Sequence, residues 1–96
     1  MTNYEVLYIL DVATDDDARN AFSEAVQKII TDGAGVVGKV DAWGVKKLAY
    51  PIQKKSEGYY TLIEFQAEPE LPKELDRRLR IADACMRHII VNKDAR

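Results

Sequence analysis

The feature that most constrains the fold of this 96-residue chain is a hydrophobic period that switches repeatedly along its length. Tyr4, Val6, Tyr8 and Leu10 alternate with Glu5, Leu7, Ile9 and Asp11, the spacing of a strand whose two faces are both partly covered. Phe22, Ala25, Val26, Ile29 and Ile30 then recur at helical spacing. Thr14 is expected to cap that helix. Asp15, Asp16 and Asp17 would fill its first turn, where carboxylates meet the exposed N–H groups and the positive end of the dipole. Gly33 is expected to end the helix in the left-handed conformation.

From Val36 to Ile52 the pattern is extended again, and Gly44 after Trp43 interrupts the alternation, which predicts a bulge or bend in one long strand. Pro51 cannot donate to a ladder, so this strand belongs at a sheet edge. Ser56-Glu57-Gly58 supplies turn chemistry, and Tyr59 to Gln66 alternates with aromatic and β-branched residues, completing a hairpin. Pro69 and Pro72 bracket the start of a second helix in which Leu71, Leu75 and Leu79 form the apolar stripe. Lys73, Arg77, Arg78 and Arg80 lie largely off it, and Met86 to Val91 forms a last short strand. The order βαββαβ predicts an α+β, ferredoxin-like fold: a four-stranded antiparallel sheet with two helices on one face. No repeat, low-complexity tract or interior linker interrupts it, so residues 1–96 are expected to form one domain.

Two helices shield one face of a sheet, so the other face must be polar or covered by something else. With Tyr4, Val6, Tyr8 and Leu10 in the core, alternation sends Leu7 and Ile9, Tyr60 and Leu62, and Ile89 and Val91 to the outer face. Glu64, Gln66 and Arg87 would mark its rim. A contiguous apolar patch points to a protein partner, whereas singly scattered hydrophobes would be ordinary surface.

Composition removes several function classes. No run approaches the roughly 20 apolar residues that span a bilayer, and Met1-Thr2-Asn3-Tyr4 lacks the basic and apolar regions of a secretion signal. A non-secreted protein of the reducing cytoplasm, without a membrane partner, is expected. The single Cys85 cannot form an internal disulfide, and with one histidine, His88, the chain lacks ligands for a structural zinc. Neither residue has a third group placed to build a nucleophile, so both are expected to be structural, with His88 in line with Met86 and Ile90. No metal, cofactor or small-molecule substrate is expected.

A net charge of −2 argues against a self-sufficient nucleic-acid binder. Its distribution matters more. Residues 38–55 carry five basic and one acidic group, and residues 77–96 carry six and two, while 11–32 and 56–76 are acidic. If the basic segments meet in space they make one positive surface.

The block Trp43-Gly44-Val45-Lys46-Lys47-Leu48-Ala49-Tyr50-Pro51-Ile52, with Tyr4-Glu5, Gly58-Tyr59-Tyr60 and Leu79-Arg80-Ile81, resembles the bacterial small-subunit ribosomal protein S-six family over nearly the whole chain. That resemblance implies a ferredoxin-like fold with no enzymatic role, pairing with ribosomal protein S-eighteen and joining the small ribosomal subunit on its RNA. Within the matched block it places Lys46 and Lys47 as a basic pair suited to phosphate. Lys54 and Lys55, flanking a turn, and Arg80 and Arg87, near the last strand, are further candidates for RNA contact. Trp43 and Tyr50 could stack on bases, although packing is the expected role of aromatic residues on a long strand. The family often has a basic residue just before the position of Tyr4. Thr2 and Asn3 stand there instead, and an N-terminal phosphate contact is not carried over.

Two other functions live on the same element order. A stand-alone single-strand RNA-recognition motif would need a basic residue and aromatics where Glu57, Thr61 and Glu64 stand. An acylphosphatase-like enzyme would need a phosphate cradle after the first strand, where Asp11, Asp15, Asp16 and Asp17 would repel an anion.

Overall fold

The computed structural model describes the backbone of residues 1–52 and 55–95, and side chains for 1–48 and 55–95. Its elements run β1 (Thr2–Leu10), α1 (Asp16–Asp32), β2 (Val36–Ile52), β3 (Lys55–Ala67), α2 (Glu70–Ile81) and β4 (Cys85–Asn92), followed by a short 3-10 turn, Lys93–Ala95. The strands form one antiparallel sheet in the order β2-β3-β1-β4. This is the ferredoxin-like arrangement, with β2 at one edge where Pro51 is tolerated.

Alternation along β1 decides what each face does. Tyr4, Val6, Tyr8 and Leu10 lie opposite Phe65, Ile63, Thr61 and Tyr59 of β3. With Val26 and Ile30 of α1 and Leu71, Leu75 and Leu79 of α2 they make the core. The two helices therefore cover this face alone. Tyr8 packs on Phe22 with ring centroids 5.0 Å apart, and burial pushes its phenol above the ordinary range.

Three local expectations are corrected. The cap of α1 is Asp15, whose carboxylate accepts the Ala18 N–H at 2.8 Å; Thr14 instead offers its carbonyl to the Arg19 guanidinium. A carboxylate at this position also meets the helix dipole, which a hydroxyl does not. The left-handed residue after α1 is Ala34, with φ 63°, rather than Gly33, whose φ is −87°. Gly33 is needed for proximity: a Cβ there would stand 2.7 Å from Leu71 Cδ1. The turn expected at Ser56-Glu57-Gly58 is absent, since these residues belong to β3, whose ladder with β2 continues to the Ile52–Lys55 pair. Gly58 is buried where β3 approaches Ile9, so its missing side chain serves a close contact and not a turn. The interruption expected at Gly44 is present, as a register shift between Ala42 and Gly44 with φ +86°.

Candidate functional site

The outer face of the sheet is built by the alternate residues of β1. Across the strands, Asp41, Leu62, Leu7 and Ile89 form one row, and Gly44, Tyr60, Ile9 and Arg87 the next. Glu64, Glu5 and Val91 form a third row toward one end. Leu7, Tyr60, Leu62 and Val91 are half-buried, and Ile89 is 56% exposed. These residues keep accessible apolar surface on the outer side of the sheet.

Ile9 departs from that expectation. It points to the outer face but only 7% of it is exposed, because the neighbouring strands crowd it at Gly58. It is the floor of the face and not a contact point. Beside it Leu7, Ile9, Arg87, His88 and Ile89 line a groove of about 200 Å³ between β1 and β4. Such a groove is large enough for one apolar side chain of a partner.

Polar groups close one end of the face. Lys93 bonds Glu64 at 2.5 Å, which holds that carboxyl below its usual range. Asp94 accepts the Asn3 backbone N–H at 2.9 Å and its side-chain amide at 3.2 Å, and these bonds likewise lower its pKa. Gln66 bonds Asn3 at 3.0 Å, tying the chain ends to β3.

At the opposite end, Trp43 leaves the β2 bulge to stack on Tyr60, with ring centroids 6.3 Å apart and planes 8° from parallel. The indole N–H donates to Asp41 at 3.2 Å, and the Lys46 ammonium lies 5.0 Å from the indole ring. This cluster was not legible in the sequence, which favoured packing for Trp43; only the bulge at Gly44 hinted that the alternation would reverse there.

The described cations among the six expected to meet RNA lie on different sides of the fold. Lys46 and Arg87 rise from the outer face, whereas alternation sends Lys47 to the other side of the β2–β3 ribbon. Lys55 is paired with Asp11 at 3.2 Å. Arg80 lies on α2 in an ion pair with Asp76, which also holds His88 Nε2 at 2.7 Å. Arg77 and Arg78 share Glu74, bringing its carboxyl down to about 2. Lys54, and the side chain of Tyr50, fall outside the described residues. Among the described residues, Lys46 and Lys47 have no ion-pair partner.

The two groups with catalytic potential are engaged structurally. His88 sits between β4 and α2 on Asp76, and the half-buried Cys85 thiol donates to the Arg87 carbonyl at 3.3 Å, with burial raising its pKa. Among the described residues no group of His, Cys, Asp and Glu could hold a metal, and no helix is long and apolar enough to cross a membrane.

Comparison with known proteins agrees with this geometry. The family model described as ribosomal protein S6 matches residues 3–92. The small ribosomal subunit protein bS6 of Clostridium novyi is 52% identical over 94 residues, covering 98% of this chain and 99% of the relative. That of Clostridium beijerinckii is 50% identical, covering 97% and 98%. The crystal structure of the 30S ribosomal protein S6 of Thermotoga maritima superposes with a TM-score of 0.91 at 29% identity, covering 98% of this chain and 89% of that one. A family match over residues 3–92, relatives at about half identity over nearly the full length and a closely superposing fold lead to one conclusion: the chain belongs to the ribosomal protein S6 family, non-enzymatic proteins of the small ribosomal subunit.

Proposed function

We propose that this small-subunit protein docks ribosomal protein S-eighteen on the outer sheet face and, with it, binds small-subunit ribosomal RNA in the bacterial cytoplasm. The observation that carries the reading is the open apolar row Leu7, Leu62 and Ile89 beside the groove at Arg87. Burying that row against another polypeptide gains free energy at roughly 25 cal/mol per Å² of apolar area.

Charge supports the shared RNA step. Lys55 and Arg80 are committed to carboxylates, leaving Lys46 and Lys47 on the projecting hairpin as the first choices for phosphate. Two lysines release few counterions, and on their own they give weak, salt-sensitive binding. The test compares RNA retention by the isolated chain with that by an equimolar mixture with S-eighteen. Weak retention alone and strong retention together are expected; tight binding by the isolated chain would contradict the proposal. Removing the Leu7, Leu62 and Ile89 side chains should abolish capture of S-eighteen, and unchanged capture would show that the partner docks elsewhere.

Stand-alone single-strand readout on the central strands gains no support. Thr61 is buried in the core and Glu64 is engaged by Lys93, so neither offers a base a stacking surface.

A further inference from the structure

We infer that Trp43, Tyr60 and Lys46 form a stacking platform for one unpaired RNA base, with the adjoining phosphate held by Lys46. The inference rests on the RNA reading above and gives it a specific contact. Trp43 is 41% exposed although its ring is fixed on two sides: the indole N–H is tied to Asp41, and the ring is parallel to Tyr60. An indole held in place this way loses little rotamer freedom when a ligand arrives.

The exposed part of the indole is open to a ligand, and Gly44, which lies opposite Tyr60, adds no side chain beside it. The rings stand over the β2–β3 half of the face, away from the apolar groove between β1 and β4.

Charge selects the occupant. A nucleotide supplies a planar π-surface for the indole and an anion for Lys46, which lacks a carboxylate partner among the described residues. An arginine from a basic protein could also stack on Trp43, but its guanidinium would face the Lys46 ammonium 5.0 Å from that ring. An aliphatic side chain would leave the Lys46 ammonium without a counter-charge. The base is therefore favoured over either protein group.

Trp43 is the chain's sole tryptophan, so its fluorescence reports the platform directly. The wild-type chain is first mixed with S-eighteen, then titrated with small-subunit ribosomal RNA, with the same titration of Trp43→Leu subtracted as background. Emission should stay unchanged on adding S-eighteen and be quenched on adding RNA. Trp43→Leu should weaken RNA binding by the pair roughly tenfold while leaving S-eighteen binding unchanged. Trp43→Phe, which keeps an aromatic ring and packs more conservatively, should retain part of the affinity. A change in emission with S-eighteen alone would show that protein covers the platform and would overturn the inference. Full RNA affinity in Trp43→Leu together with loss in Lys46→Ala/Lys47→Ala would also overturn it, while leaving the broader RNA reading intact. Failure of the wild-type pair to bind RNA would overturn both.

Discussion

Gly58 of β3 packs directly against Ile9 of β1, so closely that a methyl group at residue 58 would collide with Ile9 Cγ2. Ile9 is β-branched and confined in χ1, so it cannot easily swing aside. Gly58→Ala is expected to destabilise the fold by about 1–3 kcal/mol in urea unfolding, the usual cost of overpacking. Ile9→Ala removes the opposing methyl, and the double variant should lose less than the sum of the two single losses. Strict additivity would show that the contact is not the cause.

Helix α1 offers a test of which residue caps it. Asp15→Ala should cost about 1 kcal/mol because the Ala18 N–H loses its acceptor. Thr14→Ala should cost less, since Thr14 contributes its backbone carbonyl and not its hydroxyl. Equal losses in thermal or urea unfolding would return the cap to Thr14.

The two faces of the sheet should respond oppositely to truncation. Leu75 is fully buried in the core, and Leu75→Ala is expected to cost about 2–5 kcal/mol. Leu7→Ala, on the open face, should cost markedly less stability but weaken S-eighteen binding, as measured by calorimetry on the folded variant.

Acid should weaken the fold through carboxylates whose pKa values are lowered in the native state. Glu74 is brought down to about 2 by Arg77 and Arg78, while Glu64 is lowered by Lys93 and Asp94 by Asn3. A depressed folded pKa contributes stability that is present above the unfolded value and lost as pH falls through the folded one. For Glu74 the window runs from its ordinary 4.5 down to about 2. The urea midpoint should fall across that window, and Glu74→Gln should flatten the decline. Asp94 is exposed and Glu64 and Glu74 are partly so, and added salt should reduce the effect.

The element order was legible because each segment's period is set locally: alternation in Tyr4–Leu10, helical spacing in Phe22–Ile30 and in Leu71, Leu75 and Leu79. The apolar outer row could be read for the same reason, since a strand's side chains alternate faces whatever it pairs with. The glycines were read less well. Gly33 and Gly58 carry the composition of chain reversals but serve close approach to Leu71 and Ile9, contacts far apart in sequence.

Charge counting failed in a related way. The sequence showed two basic segments but not that Lys55 would meet Asp11, or that Arg80 would meet Asp76 one helical turn away. Nor did it show that a bulge at Gly44 would lay Trp43 on Tyr60 beside Lys46. What the sequence by itself determined was the order of elements and the apolarity of both sheet faces, because these follow from side-chain period along a single segment. Which lysines stay unpaired, which glycine admits which neighbour and where the aromatic platform stands were decided by the tertiary structure, because each depends on the register that brings distant strands side by side.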